Sequence, residues 1–284
     1  MESLCLTRKT PAPLLGDTTR LKPSPMVDHS HSVIRPRKRP AAALRLFCFP
    51  HAGVGTSVFR GWADDLPNDV EVCLIQLPGR EGRLRENLFF SIQPLAEQLV
   101  AEFRELLDRP FVLYGHSLGA TIAFEVARSL RRNNLPQPSH LFVGASPAPQ
   151  LPWRHDLLRD LAEAEFIHAL EARYAEMPKV VMDDPQMRAL LLPVLRADVT
   201  MVETYQYAPE PPLACPITAY GGTQDRAVMQ SELEAWKEQT AKEFRLAMLD
   251  GDHFFLQGQK AALLNSLKIA LTVEIHALQR SERR

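Results

Sequence analysis

The sequence predicts an α/β fold, a mainly parallel central sheet flanked by helices, with a helical segment inserted late in the chain. Short apolar runs of four to eight residues alternate with segments of helical period. Most of these runs are apolar throughout rather than at every second position, as strands covered on both faces are. Between two of the later runs lie roughly seventy residues, far more than one crossover needs.

Residues 1–43 stand apart. They are rich in Pro, Arg, Lys, Ser and Thr, hold no sustained period, and include the basic stretch "IRPRKRP" at Ile34–Pro40. This composition predicts a disordered N-terminal extension. Met26 offers a second possible start, and a targeting peptide is a third reading. From Leu44 to the end at residue 284 the pattern is that of one domain. "LRLFCFP" is a strand ended by Pro50, and "VEVCLIQLPG" a strand ended by Pro-Gly. In "SIQPLAEQLVAEFRELLD", Leu95, Leu99, Phe103 and Leu106 recur at helical spacing with charges opposite. "RPFVLYG" is the next strand. "ATIAFEVARSLRRNN" follows as a helix ending in basic residues and Asn. After the strand "HLFVGAS" comes the insertion, about 148–210. Its stretches "HDLLRDLAEAEFIHALEARY" and "DPQMRALLLPVLRADVTMVETYQY" both read as helices. Such a segment is either a lid over the C-terminal edge of the sheet or an ordinary helical layer, and the pattern leaves both open. "CPITAYGG" is a strand, "FRLAMLDG" a weaker one, and "KAALLNSLKIALTVEIHALQRSE" a closing helix. Alternating elements with short links make the sheet mainly parallel.

Bulk properties narrow the function. A formal net charge of −1 over 284 residues carries no signature of nucleic-acid binding. No uninterrupted apolar run reaches membrane-spanning length, and the N-terminus lacks the apolar core of a secretory signal. No CxxC occurs among Cys5, Cys48, Cys73 and Cys215, and three of them sit in strand-like runs. Buried thiols in a reducing, cytoplasmic compartment are the expectation.

The chemistry concentrates at "FVLYGHSLGATIAFEVA". A strand, then G-x-S-x-G, then a helix is the nucleophile elbow of the α/β-hydrolases. Side chains at Gly115 and Gly119 would collide with neighbouring backbone, so the turn needs glycine there. The turn lifts the hydroxyl of Ser117 above the sheet edge and aims the N–H of Leu118 at any oxyanion formed beside it. An alkyl hydroxyl needs a base oriented by an acid, and in this fold the order is Ser, Asp or Glu, His. His253, in "LDGDHFFL" between a strand and the last helix, stands where the base belongs. His51 precedes the serine and so falls out of order, and the side chain of His116 should point away. Asp225 in "ITAYGGTQDRAV" is the expected acid; Asp250 and Asp252 are rivals too close in sequence to reach Nδ1 easily. Ala52 in "CFPHAGVGTS" is the candidate second oxyanion donor, from the loop after an early strand. There is no HExxH, no Cys/His cluster and no P-loop, so neither a metal nor an organic cofactor is expected.

At these residues the chain resembles the type II thioesterases that accompany nonribosomal peptide and polyketide synthases. The matching text is "LFCFPHAG", "QLPGREGRLRE", "YGHSLGA", "LLLPVLRADVTMVETYQY", "PLACPITAYGGTQD" and "GDHFFL", from about Leu44 to Leu256. The resemblance implies an α/β-hydrolase with a helical lid that hydrolyses acyl thioesters on the phosphopantetheine arms of carrier domains. It assigns Ser117 as nucleophile, Asp225 as acid, His253 as base, and Ala52 and Leu118 as oxyanion donors. The chain departs from the family's pattern at Val54, Arg226 and Asp252, where Gly, Pro and Gly are usual. Carrier domains tend to be acidic, so a basic docking surface is expected, either Arg80, Arg83 and Arg85 or Arg35, Arg37, Lys38 and Arg39. A monomer is expected. An esterase or acyltransferase of the same fold, or a non-catalytic partner-binding relative, are the alternatives.

Overall fold

A strand apolar at every position has to be covered on both faces, and the sheet is built that way. The structure, a computed structural model, describes residues 32–174 and 184–282. Among these residues seven strands form one sheet: β1 (Val33–Ile34), β2 (Leu44–Phe49), β3 (Val70–Ile75), β4 (Phe111–His116), β5 (Leu141–Gly144), β6 (Ile217–Gly222) and β7 (Phe244–Leu249). Their order is β1-β3-β2-β4-β5-β6-β7. Every neighbouring pair is parallel except β1 with β3. All residues of β2 to β6 are buried. Edge strand β7 is only partly covered, the reason its sequence signal is the weakest.

Among the described residues the α-helices are α1 (Trp62–Asp65), α2 (Ile92–Phe103), α3 (Leu118–Arg132), α4 (Glu163–Tyr174), α5 (Pro185–Glu203), α6 (Gln230–Glu234), α7 (Phe255–Gly258) and α8 (Lys260–Glu282). Alternate strand residues feed two cores. Phe47 and Leu113 pack with Leu99 of α2 and Phe124 of α3 on one face. Leu46 and Tyr114 pack with Trp62 of α1 and Leu263 and Leu267 of α8 on the other. Helix α8 is long and apolar enough to cross a bilayer by length and composition alone. Here its apolar stripe, Leu263, Leu264, Leu267, Leu271 and Ile275, is buried against the sheet instead.

Three expectations need correction. Residues 32–43 of the expected extension are part of the fold; residues 1–31, with Cys5 and Met26, lie outside the described residues. Val33 and Ile34 pair with Ile75 and Leu74. The Arg39 guanidinium donates to the carbonyls of Ala63, Pro67 and Val70, and its backbone N–H to Glu71. A basic residue inside a low-period segment here serves as a staple. Second, in "HDLLRDLAEAEFIHALEARY" only Glu163–Tyr174 is helical. The N–H groups of Leu158 and Arg159 donate to the Glu203 carboxylate at 2.6 and 3.1 Å, which gives that backbone an acceptor outside any helix. Third, the loop arginines are not a free basic face. Arg83 is buried, with Glu86 and Glu102 on its guanidinium, and Arg80 is buried against Asp198.

The insertion between β5 and β6 carries α4 and α5 and a small core of its own, with Phe166, Ile167, Leu170, Leu192 and Val199. Asp184 caps α5 by accepting from the N–H of Gln186 and Met187, with Pro185 at the first helical position.

Candidate active site

Ser117 follows β4, beside β2, where the chain order of the sheet reverses; ligands gather at such points. Its φ of 53° is a strained value for a residue with a side chain. The two glycines are forced by close approach. A Cβ on Gly115 would lie 2.1 Å from the carbonyl oxygen of Gly119, and one on Gly119 would lie 2.2 Å from that of Phe49. The second contact brings the loop after β2 against the start of α3. The Ser117 N–H is spent on the Gly144 carbonyl at 2.7 Å. Among the described residues, the N–H groups of Ala52 and Leu118 have no protein acceptor, as free oxyanion donors would.

Asp225, His253 and Ser117 converge from three loops. Nε2 of His253 lies 3.0 Å from Ser117 Oγ, and Nδ1 lies 2.8 Å from Asp225 Oδ2. A carboxylate only accepts, so Nδ1 carries the proton and Nε2 presents its lone pair to the hydroxyl. The other Asp225 oxygen accepts from the N–H of Ala227 and Val228 at 2.8 and 3.1 Å, which fixes the carboxylate. Both side chains are nearly fully buried. The acid and base loops are laced together, for Gln224 N–H donates to the Gly251 carbonyl. The rival acids face elsewhere. Asp250 accepts from Gln224 Nε2 at 2.9 Å, and Asp252 accepts from the N–H of Phe254 at 2.8 Å.

Three surrounding residues have partners that the sequence did not show. His116 does point away from the serine, as expected, but Nε2–H donates to the His253 carbonyl at 2.8 Å and so pins the base loop. Burial, with His51 and His253 nearby, holds its pKa well below the usual histidine range, so it stays neutral. Tyr174 of α4 lays its ring 4.8 Å from that of His253. Glu203, on the insertion, is spent on the Leu158 and Arg159 amides.

Two cavities meet at Ser117 and His253. The larger, about 590 Å³, is walled by Leu170, Leu191, Val194, Leu195, Val199 and Val202 from the insertion, with Val54 opposite. The smaller, about 370 Å³, runs past Leu118, Thr121, Ser146, Gln150 and Tyr205. Tyr174 and Trp153 border both. The arrangement can activate an alkoxide, hold an oxyanion and shelter an apolar chain on one side and a polar one on the other.

The thioesterase domain family matches residues 44–269. The chain is 44% identical over 224 residues to the gramicidin S biosynthesis protein GrsT of Aneurinibacillus migulanus, covering 79% of this chain and 87% of that one. It is 34% identical over 225 residues to the human medium-chain S-acyl fatty acid synthase thioesterase, covering 77% and 83%. Among solved structures it is similar to RedJ, a thioesterase from the prodiginine biosynthetic pathway in Streptomyces coelicolor. Identity there is 38% and the TM-score 0.76, over 82% of this chain and 87% of that one.

Proposed function

Because this chain belongs to the thioesterase domain family, we propose that it hydrolyses acyl thioesters on the phosphopantetheine arms of carrier domains, as an editing enzyme of a peptide or polyketide synthase. The observation that carries the reading is the buried Asp225–His253–Ser117 relay opening onto an apolar cavity. His253 Nε2 takes the Ser117 proton as Oγ attacks the thioester carbon. The oxyanion faces the N–H groups of Ala52 and Leu118. The C–S bond breaks as His253 gives that proton to the sulfur, so the arm leaves as the thiol and the imidazole is neutral again. A thiol is far more acidic than an alcohol, so this departure is easier than that of an alkoxide. Water then gives a proton to His253 as it attacks the acyl-serine carbon, the C–Oγ bond breaks as His253 returns that proton to Ser117, and the acid is released. The acyl chain fits the larger cavity, under the insertion acting as a lid. The arm fits the smaller, more polar one.

In this reading the enzyme works as a monomer with a carrier domain as partner. Buried, unpaired Cys48, Cys73 and Cys215 support a reducing, cytoplasmic setting. With Arg80 and Arg83 internally paired, Arg85 is the one member of the loop cluster left for docking. The test is hydrolysis of carrier-bound acyl thioesters and matched oxygen esters by wild type and Ser117→Ala, with fluorophosphonate labelling. Thioester preference and labelling at Ser117, both lost in the variant, are expected. Labelling at another serine, or preference for the oxygen ester, overturns the assignment.

A further inference from the structure

The peptide unit after Ala52 is held at both poles. Its carbonyl, that of Ala52, lies 3.0 Å from Nδ1 of His51. A carbonyl only accepts, so Nδ1 is protonated, and the His51 side chain closes a ring around the peptide unit that bears the Ala52 N–H. The opposite pole, the Gly53 N–H, donates to Oδ2 of Asp198 at 2.7 Å. Asp198 is not a loop residue. It stands on α5 in the insertion, fully buried, and Arg80 grips both its oxygens at 2.7 and 2.9 Å while reaching the Val54 carbonyl. Arg80 alone could satisfy that carboxylate, yet one oxygen also serves the loop. The same helix touches the loop a second time. Gly53 sits at φ 77°, and a Cβ there would come within 2.9 Å of Leu195.

We propose that Asp198, with His51, is a positioning residue for the oxyanion donor: helix α5 sets the angle at which the Ala52 N–H meets the oxyanion. The inference rests on the reading of Ser117 as nucleophile and Ala52 as donor. It has a physical logic. A backbone donor stabilises a transition state only if it is already oriented, and an error of about 1 Å in placement costs on the order of 100-fold in rate. A loop with a left-handed glycine does not hold one orientation by itself. A carboxylate near a developing oxyanion would normally oppose it, and the paired Arg80 removes that objection. Burial keeps His51 neutral, its pKa down at about 4, so no positive charge is carried beside the donor at neutral pH, while the proton on Nδ1 makes the grip on the Ala52 carbonyl. Seating α5 and completing the oxyanion hole are then one event.

The test uses Asp198→Asn, which keeps the shape but cannot offer two acceptor oxygens to Arg80 and Gly53 together. Three quantities are read: kcat and KM on an acyl-pantetheine thioester, affinity for a trifluoromethyl ketone analogue that adds to Ser117 as an oxyanion, and affinity for an amide analogue that cannot. The expected result is a fall of about 10–100-fold in kcat and in ketone affinity together, with KM and amide affinity unchanged. Arg80→Lys, which leaves Asp198 its contact with Gly53, should lose far less. Should Asp198→Asn fold poorly, R80M/D198M removes the pair without stranding a charge and carries the same expectation. Full retention of kcat, or equal losses on ketone and amide, overturns the proposal, the second by making the pair merely structural. Failure of the wild type to add the ketone at Ser117 would instead overturn the underlying reading of the nucleophile.

Discussion

At the scale of single residues, the candidate site depends on which way one imidazole faces. Nδ1 of His253 is held by Asp225, so Asp225→Asn should admit the wrong tautomer and slow turnover about 10⁴-fold with the fold intact. Asp252→Asn should alter turnover little, because that carboxylate caps the Phe254 amide. Steady-state hydrolysis of an acyl-pantetheine by both variants checks this, and reversed effects would make Asp252 the acid. His51 yields a prediction in pH. Burial is the chief reason its pKa falls from 6.5 to about 4; the hydrogen bond to Ala52 opposes this and His253 adds to it. The unfolded ring takes up its proton near pH 6.5, so the stability linked to the neutral ring is whole above that pH. It drains away as pH falls toward 4, by an amount on the order of 3 kcal/mol. Urea unfolding at pH 7 and pH 4.5 should therefore show a steeper loss for wild type than for His51→Gln. Equal losses would mean the ring titrates normally in the fold.

At the scale of elements, buried ions fasten helices to the sheet and the insertion to the body. Arg128 on α3 pairs with Glu125 one turn earlier and with Glu210, and donates to the Ala208 carbonyl beyond α5. Tyr205 donates to Glu125 at 2.7 Å. Burial works against the Glu210 carboxylate, but hydrogen bonds from Arg131, Arg128 and Arg132 outweigh it and hold its pKa at about 2. Arg128→Met would leave buried Glu125 with only the Tyr205 hydroxyl and the more distant Arg132 at 3.7 Å, and should cost about 3 kcal/mol by urea unfolding. Arg83 behaves alike. Arg83→Met, which leaves the buried Glu102 carboxylate unmatched, should cost a similar amount, whereas Arg85→Glu at an exposed position should fall within about 0.5 kcal/mol. A near-neutral Arg83→Met would return that arginine to the docking surface.

At the scale of the whole molecule, the sheet presents Ser117 at its edge and the insertion roofs it over, leaving two cavities that join at the serine. If the larger holds the acyl chain, filling it should shorten the chain accepted. Val199→Trp should lower kcat/KM for a decanoyl thioester by about tenfold or more, while an acetyl thioester is hydrolysed as before. Equal loss on both would mean that the substitution displaces α5 and, with it, the oxyanion loop.

What the sequence determined by itself is what local rules govern. The apolar runs of β2 to β6 are legible because a doubly covered strand has no polar face. The elbow is legible because Gly115 and Gly119 are the residues that such close backbone contacts allow. Ser117, Asp225 and His253 could be named from their order because each sits in a loop after a strand. The tertiary structure decided everything that depends on distant pairing. Arg80 and Asp198 are 118 residues apart, and Gly53 and Asp198 are 145 apart. Nothing in local composition distinguishes a buried, paired arginine such as Arg83 from an exposed one such as Arg85. Arg39 lay in a segment without period, so its role as a staple had no local mark. A side chain's partner is set by where the fold brings other chain segments, and period and propensity carry no information about that.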